Sequence, residues 1–425
     1  MADLGDTIFA HSSGRPPAAI AVIRISGSHA HAAARELAGE LPEPRHAALR
    51  ALRRPDGELL DRALVIRFDG PASVTGEDLI ELHCHGGRAV VDGVLAALGN
   101  VTGLRQAEAG EFTRRALVNG RLDLTEAEGL ADLLEAETQQ QRRAALAVAG
   151  GALRNQIENW RSRLVDLSAQ AEAAIDYVGD EDETALDTHA VRNAAAALVG
   201  EWRSWLERPP AELLHQGVRV VLAGPPNAGK SSLLNALVGH DRAIVTDLAG
   251  TTRDIIEVPL AVEGIPLVLV DTAGLREATN KVERLGVSLA EEQIARADVL
   301  LWLGDAAECP SHANVIQVHT KVDLIPPESG KRAVSVVTGE GLADLRAALL
   351  GTARLILPVE DELVLNRRQS AALGEAADAL SEMPHDLLLV AESLREARSA
   401  LDRLTGRTGV EDVLDGLFGR FCLGK

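Results

Sequence analysis

Aromatic residues and cysteines are scarce in this chain of 425 residues. Phe, Trp and Tyr together make up 2% of it, so the cores must be built mainly from Ala, Leu and Val, which favours helices. The three cysteines, Cys84, Cys309 and Cys422, are far apart and lack metal-binding spacing, which argues against a disulfide framework. No apolar run approaches the roughly 18 residues of a membrane-spanning helix, and no signal segment is visible. We therefore expect a cytoplasmic protein without membrane contact.

The chain also lacks the basic excess that is typical of general nucleic-acid binders. It carries 63 acidic and 43 basic side chains, a formal net charge of -20, which repels polyanions at long range. An RNA partner must therefore meet a local basic patch, such as Arg142–Arg143 with Arg154–Arg163, or a surface supplied by another protein.

Three kinds of residue pattern follow one another along the sequence, which is long enough for two or three domains. Residues 1–120 alternate short apolar runs with Gly, Pro and Asp, which predicts a mixed α/β domain. Residues 121–213 and 357–425 are rich in helix formers, which predicts helices that pack together. Residues 214–356 alternate strand-like and helix-like runs, which predicts an α/β module inserted between the helical segments.

Each helical segment contains an apolar stripe with the three- and four-residue spacing of one helix face. The first stripe consists of Leu153, Ile157, Trp160, Leu164, Leu167, Ala171 and Ala174. The second consists of Leu387, Val390, Leu394, Ala397, Leu401 and Leu404. Thr125 and Glu128 are spaced like a capping box at the start of the first helical segment.

A phosphate-binding loop follows the buried-strand pattern Val218–Ala223. Gly224-Pro-Pro-Asn-Ala-Gly-Lys-Ser231 matches G-x-x-x-x-G-K-S and leads into a helix pattern at Leu233–Val238. Its glycines let backbone N–H groups turn toward phosphate oxygens, and the helix N-terminus adds positive potential. We expect Lys230 to bridge the β- and γ-phosphates and Ser231 to bind Mg²⁺.

Four further elements follow in the order found in GTP-binding proteins. Thr252, within GTTRD, is placed to reach Mg²⁺ and the γ-phosphate, and Asp271, which begins DTAG, to hold Mg²⁺ through water. Asp323, which ends TKVD, can accept both guanine N1–H and the 2-amino group, a pair of donors that adenine lacks. Ser335 begins SVVTG, which resembles the last base-contacting loop. The complete set predicts GTP as the nucleotide.

The hydrolysis chemistry must differ from that of Ras-like enzymes. Those enzymes carry a water-orienting glutamine directly after D-x-x-G, where this chain has Leu275, an aliphatic residue that cannot orient water. We predict that Glu283 holds the attacking water, with a surface carboxylate as the alternative. Arg253 and Arg276 are rival sources of positive charge.

Asn227, inside the phosphate loop, could offer its side-chain oxygen to a K⁺ ion beside the phosphates, completed by carbonyls of the loop 246–251. Glu283, Asn227 and Thr252 are therefore the predicted catalytic residues. The predicted GTP contacts are Asn227, Ala228, Gly229, Lys230, Ser231, Ser232, Thr246, Asp247, Leu248, Ala249, Gly250, Thr251, Thr252, Asp271, Thr272, Ala273, Gly274, Thr320, Lys321, Asp323, Ser335, Val336 and Val337.

Motifs outside the GTPase elements are specific to one family. They are Asp6-Thr-Ile-Phe-Ala10, Arg24-Ile-Ser-Gly27, Thr75-Gly-Glu-Asp78 through His85-Gly-Gly87, Gly110-Glu-Phe-Thr-Arg-Arg115, Arg121-Leu-Asp-Leu124 and Phe421-Cys-Leu-Gly-Lys425. Through them the chain resembles, from end to end, the MnmE (TrmE) family of tRNA-modification GTPases. The resemblance implies an N-terminal tetrahydrofolate-binding and dimerisation domain (1–120), a helical domain in two parts (121–213 and 357–425) and an inserted Ras-like P-loop GTPase domain (214–356).

The resemblance also implies an activity and partners. GTP binding would bring the two GTPase domains of a homodimer together, with K⁺ and Mg²⁺ completing the site. An FAD-dependent partner, MnmG (GidA), would form a heterotetramer or larger assembly with the chain. Together they would place an aminomethyl or carboxymethylaminomethyl group on C5 of the tRNA wobble uridine U34, using 5,10-methylene- or 5-formyl-tetrahydrofolate. A non-modifying assembly GTPase that binds RNA or ribosomes is the alternative, and a folate enzyme merely regulated by GTP is a weaker one.

By position, the resemblance carries the family's ligand contacts onto this chain. Folate contacts fall on Arg24, Glu81, Arg121 and Lys425, potassium contacts on Asn227, Thr246, Leu248 and Thr251, and magnesium contacts on Ser231 and Thr252. The three cations suit a folate's glutamate tail, and Glu81 can accept from the pterin N–H groups. Cys422, beside the implied folate pocket, is a candidate catalytic or redox thiol, with a buried inert thiol as the alternative.

Several positions depart from the family pattern. Thr320 replaces the usual Asn, which predicts weaker nucleotide affinity, but guanine selectivity is retained because Asp323 remains. The stretch between β-like runs at residues 305–315 is short, which predicts a trimmed helix. Arg121 keeps the positive charge of the common Lys. His83 and His85 share one strand face, but the family pattern keeps only His85, which disfavours a metal site.

Overall fold

The computed structural model describes residues 5–176, 188–239, 256–272, 291–326, 331–384, 386–408, 411–421 and 424. The chain divides into two compact units. The first comprises Met1–Ala131, Val148–Asn159 and Leu401–Lys425, and the second comprises Asp132–Ala147 and Trp160–Ala400. Among the helices that are described, none is long and apolar enough to cross a membrane.

A six-stranded sheet forms the centre of the first unit. Its strands are β1 (Thr7–His11), β2 (Ile20–Ser26), β3 (Ala47–Arg53), β4 (Leu59–Phe68), β5 (Leu79–His85) and β6 (Leu104–Gln106), in the order β3-β4-β5-β2-β1-β6. The helices of its N-terminal part are α1 (Ala30–Ala38), α2 (Arg88–Gly99) and α3 (Glu111–Val118). Strand neighbours are antiparallel, except that β1 and β6 run parallel.

The two faces of this sheet have different surroundings. Alternate strand residues such as Ile23 and Leu82 pack against α1 and α2 and form the core. The opposite face carries Ile20, Leu49 and Leu64, which are all exposed. An antiparallel sheet with one covered and one open face is a common arrangement, but the open face is usually polar.

Helices make up most of the remaining described chain. They are α4 (Leu124–Glu135), α5 (Gln139–Ala149), α6 (Ala152–Asp176), α7 (Thr188–Leu206) and α8 (Ala211–His215), followed after the second sheet by α11 (Arg367–Ser381), α12 (Leu387–Leu404) and α13 (Glu411–Phe418). Both predicted apolar stripes are confirmed, because their members are buried apart from the half-buried Ala174 and Leu387. The boundaries of the two compact units fall inside α4, α5, α6 and α12 and do not coincide with the predicted domain limits, which stay a prediction.

The capping box predicted at Thr125 and Glu128 is wrong. Asp123 caps α4, because its Oδ1 accepts the N–H of Glu126 at 2.9 Å. The Glu126 carboxylate in turn accepts the N–H of Asp123 at 2.7 Å. An aspartate followed three residues later by a glutamate completes the reciprocal pair two positions earlier than predicted.

The second unit contains a mostly parallel sheet. Its strands are β7 (Val218–Ala223), β8 (Ile256–Val262), β9 (Ile265–Asp271), β10 (Val299–Trp302), β11 (Val315–Thr320) and β12 (Arg332–Val334), in the order β12-β11-β10-β7-β9-β8, and only β8 and β9 pair antiparallel. The helices α9 (Lys230–Gly239) and α10 (Leu342–Ile356) pack on one face. Between β10 and β11 the chain forms only a short 3-10 turn, Ala306–Glu308. The predicted shortening of the helix in this stretch is therefore confirmed. In such sheets, ligands bind beyond the carboxyl ends of the strands.

Candidate functional site

The phosphate loop joins β7 to α9 and depends on its first glycine. Gly224 has φ 149°, and an added Cβ would lie 3.0 Å from the carbonyl carbon of Leu303, so no side chain fits there. Asn227 and Gly229 also have positive φ, of 62° and 90°. A backbone in which residues of positive and negative φ alternate forms a concave arrangement of N–H groups, which is typical of anion-binding loops.

Lys230 and Ser231 begin α9 at the end of this loop. The Lys230 side chain is buried, and its Nζ donates to the carbonyl oxygens of Gly224 at 3.0 Å and Pro225 at 2.9 Å. The ammonium group is thereby held against the loop. Ser231 Oγ donates to Oδ2 of Asp271, at the end of β9. A hydroxyl and a carboxylate in contact supply the oxygen ligands that Mg²⁺ prefers, so these residues fit that ion.

The end of β11 is tied to the phosphate loop by two hydrogen bonds. Thr320 Oγ1 donates to the carbonyl oxygen of Ala228 at 2.6 Å. Lys321 Nζ donates to the carbonyl oxygen of Asn227 at 2.7 Å. The threonine that replaces the usual asparagine therefore still holds the loop, although it has no amide with which to reach a base.

Asp323 is exposed beyond the end of β11, and Ser335 holds its carboxylate. The Ser335 hydroxyl is buried after β12 and donates to Oδ1 of Asp323 at 2.6 Å. This bond fixes the carboxylate and leaves Oδ2 for a ligand. A fixed, exposed carboxylate suits the paired N–H donors of guanine.

A polar trio lies on the open face of the N-terminal sheet. Arg24 on β2 stands opposite Glu81 on β5, and its Nε donates to Oε1 of Glu81 at 2.9 Å. Nε2 of His83 lies 3.1 Å from the other oxygen, Oε2. Burial alone would raise the pKa of Glu81, but the hydrogen bond from His83 and the charge of Arg24 hold the pKa below its ordinary value. The site therefore presents an ionised carboxylate beside a guanidinium.

Arg121 lies against the loop between β4 and β5. An added Cβ on Gly76, which has φ 79°, would lie 3.2 Å from Cγ of Arg121 and 2.8 Å from Cβ of Asn119. The side-chain amide of Asn119 donates to the carbonyl oxygen of Thr75 at 2.8 Å. The loop glycine thus makes room for the stem of Arg121.

A buried ion cluster anchors the same loop. The Arg115 guanidinium is fully buried and donates to the carboxylates of Asp6, Glu77 and Glu111. Ser26 Oγ donates to Glu77 at 2.7 Å. These residues lie in motifs that are visible in the sequence, but most of their contact partners are far apart in the chain, so their role could not be predicted from it.

Comparison with known proteins identifies the family. A model of the MnmE helical domain matches residues 124–422, and a model of the GTP-binding protein TrmE N-terminus matches residues 7–121. The tRNA modification GTPase MnmE of Erythrobacter litoralis is 52% identical over 424 residues, covering 99% of this chain and 100% of that protein. The chain belongs to the MnmE family of tRNA modification GTPases. The MnmE of Rhizorhabdus wittichii is 54% identical over 433 residues, covering 100% of this chain and 98% of that protein.

Among solved structures, the G domain of the FeoB iron transporter of T. maritima is 26% identical, and the match covers 32% of this chain and 98% of that chain with a TM-score of 0.25. The predicted MnmE resemblance, the multidomain fold class with α+β and α/β parts, and the assignment as a GTP hydrolase are confirmed by the family.

The structure brings the phosphate loop, Asp271 and the base-reading residues to one edge of the second sheet. Thr272 donates its hydroxyl to the carbonyl oxygen of Leu222, a contact inside the sheet, and Val337 is exposed beside the buried Ser335. Of the other predicted contacts, Ser232 is exposed on α9 and Val336 is half-buried after β12. Twelve predicted site residues lie outside the described residues: Thr246, Asp247, Leu248, Ala249, Gly250, Thr251, Thr252, Ala273, Gly274, Glu283, Cys422 and Lys425. The alternative charge suppliers, Arg253 and Arg276, also lie outside them.

Proposed function

We propose that this MnmE-family chain uses GTP hydrolysis to drive modification of C5 of the wobble uridine U34 in tRNA. Its partner in this reaction is the FAD-dependent protein MnmG (GidA), and the product carries an aminomethyl or carboxymethylaminomethyl group. The observation that carries the nucleotide part is the joined site in which Ser231 meets Asp271 while Thr320 ties the base-reading strand to the phosphate loop.

For hydrolysis we propose a bound K⁺ and a carboxylate in place of the missing glutamine. Asn227 is exposed in the phosphate loop, and its left-handed backbone turns the chain at that point, which supports a role for its side-chain oxygen beside the phosphates. K⁺ would supply positive charge where charge develops during phosphoryl transfer. Glu283 holds the attacking water in this proposal.

For the folate site we propose that Glu81 and Arg24 act on the pterin end together. The Arg24–Glu81 contact supports this, because one strand pair cannot serve both the pterin and the glutamate carboxylates, which lie at opposite ends of a folate. Glu81 accepts the ring N–H and the 2-amino group, and Arg24 donates to the adjacent 4-oxo group. Arg121 and Lys425 remain the cations for the tail.

For assembly we propose a homodimer through the open face of the N-terminal sheet. Ile20, Leu49 and Leu64 are exposed on this face, and a second copy would cover them. The predicted basic patch for tRNA receives less support, since Arg143 pairs with Glu360. Arg154 and Arg163 also pair with carboxylates, so we assign most tRNA contact to the MnmG partner.

The decisive experiment is mass spectrometry of tRNA nucleosides from cells that lack this chain. Loss of the C5-modified uridine, restored by the wild-type gene but not by a Lys230→Ala variant, is the expected result. Unchanged U34 modification would instead favour a non-modifying assembly GTPase. Restoration of the C5-modified uridine by the Lys230→Ala variant would point to a folate enzyme in which GTP is only regulatory.

A further inference from the structure

His83 is the member of the polar trio to which neither the family motifs nor the comparisons give a role. Its Nε2 lies 3.1 Å from Oε2 of Glu81, while Arg24 holds Oε1. Within the described part of the chain, Arg24 and His83 are the only hydrogen-bond partners of this carboxylate. Each carboxylate oxygen of Glu81 is therefore hydrogen-bonded to a different neighbour.

The residues opposite His83 offer it no polar contact, and His85 on the same strand is bonded to Asp61. Val22 on β2 and Leu64 on β4 stand opposite His83 in the sheet, and both are apolar. Cys84, the next residue along the strand, points into the core, so the imidazole has no cysteine beside it on the open face. The hydrogen bond to Glu81 is accordingly the one polar contact in the described residues that orients the ring.

A carboxylate fixed before its ligand arrives binds more tightly than a free one. A glutamate side chain loses rotamer freedom when it is ordered, and this loss opposes binding. Partners that order it in the free protein remove this cost from binding. Arg24 and His83 each occupy one lone pair of a different oxygen, so each oxygen keeps a lone pair that can accept from a ligand with two neighbouring N–H donors.

We propose that His83 is a positioning residue: it fixes the Glu81 carboxylate in the orientation that binds the N–H and amino group of a 2-amino-4-oxo pteridine. The inference rests on the proposed folate site and names a residue that the site needs. His83 itself does not touch the ligand in this arrangement, because its donor nitrogen is committed to Glu81.

The test measures binding of 5-formyltetrahydrofolate to the purified full-length chain by isothermal titration calorimetry. Glu81→Gln tests the site, His83→Phe removes the donor while filling the space, and His83→Gln restores an amide donor. His46→Gln is the matched control, because His46 is an exposed histidine of the same unit whose ring, among the residues that the structure describes, bonds only to the carbonyl oxygen of Pro44. Melting temperature is measured for each variant, and His83→Ala replaces His83→Phe should the latter not fold.

We expect His83→Phe to bind about three- to tenfold more weakly, and His83→Gln and His46→Gln to stay within about twofold of wild type. In the Glu81→Gln background, His83→Phe should cause no further loss, because its effect acts through the carboxylate. Equal binding by His83→Phe and wild type, with Glu81→Gln impaired, overturns the role of His83 alone. Wild-type binding by Glu81→Gln, or no binding by the wild type, overturns the proposed folate site and this inference together.

Discussion

Thr320→Val tests whether the threonine at the head of the base-reading element holds the phosphate loop. Valine has nearly the same shape as threonine but no hydroxyl. It therefore removes the 2.6 Å bond from Thr320 Oγ1 to the carbonyl oxygen of Ala228 and leaves the packing in place. The bond from Lys321 to Asn227 remains as the second tie.

The size of the effect follows from one neutral hydrogen bond. Such a bond contributes about 0.5–1.5 kcal/mol net, and the unpaired carbonyl of Ala228 is only partly buried, so water can compensate in part. A loss of about 1 kcal/mol corresponds to roughly a fivefold change in affinity. Ala228 belongs to the loop that must enclose the phosphates. Without the bond, the loop is ordered only when the nucleotide binds, and the entropy cost of ordering it lowers nucleotide affinity.

The assay is titration of the purified protein with N-methylanthraniloyl-GDP in excess Mg²⁺, followed by fluorescence. We expect Thr320→Val to bind about fivefold more weakly than wild type. Thr320→Ser keeps the hydroxyl and should match wild type, whereas Thr320→Asn should bind more tightly because it restores the family amide. Thr352→Val is the matched control, since its hydroxyl bonds within α10 to Ala348. Preference for GDP over ADP should survive in every variant, because Asp323 is unchanged.

Two results would refute this reasoning. Unchanged affinity in Thr320→Val would mean that the hydroxyl bond contributes nothing to loop order. An equal loss in Thr320→Val and Thr352→Val would mean that any threonine-to-valine change in this unit weakens binding, so the effect could not be assigned to the tie between β11 and the loop.

The remaining predictions concern hydrolysis and stability. GTP turnover should be about tenfold or more faster in KCl than in NaCl at equal ionic strength, and equal rates would contradict the cation role of Asn227. Glu283→Ala should keep GTP affinity but lose about 100-fold or more in kcat, and normal turnover would exclude it as the water-holding residue. Gly341→Ala should lower the free energy of unfolding by about 2–4 kcal/mol in urea titrations, because its Cβ would lie 1.8 Å from the carbonyl oxygen of Ala333; a midpoint like that of wild type would contradict the close approach.

The nucleotide site was largely predictable because its elements are local. Each one combines a strand pattern with a short motif at the strand's carboxyl end, so the motif both names the residue and fixes its place in the sheet. Lys230, Ser231 and Asp271 accordingly lie where the sequence predicts them, although their roles toward GTP stay predictions. The apolar stripes of α6 and α12 were predictable for the same reason, since helix periodicity is a local property.

Other features depend on contacts that spacing does not encode. The bond between Ser335 and Asp323 joins two loops, and the tie from Thr320 to Ala228 spans 92 positions. The positioning role proposed for His83 could not be predicted, because a histidine on a strand face is uninformative until its neighbour's orientation is known. The capping box failed for a local reason: Thr125 and Asp123 both match the pattern, and the choice depends on where the helix begins.

The N-terminal motifs serve two physical roles, and this changes how variants there should be interpreted. Arg24, Glu81 and His83 are partly accessible on an open sheet face, so their loss removes contacts to a ligand or the orientation of those contacts. Arg115 is buried among acids, with a pKa that burial would lower but the surrounding carboxylates raise above its ordinary value. Removing it takes away the guanidinium that pairs with Glu77, although Arg105 still pairs with Asp6 and Glu111. The partly buried Glu77 carboxylate then lacks its cation, which lowers the stability of the fold at this loop. The loop that carries Gly76 would then move, and with it the stem of Arg121. Weak folate binding by an Arg115 variant would therefore report a displaced loop, whereas weak binding by a stably folded Glu81 variant would report a lost ligand contact.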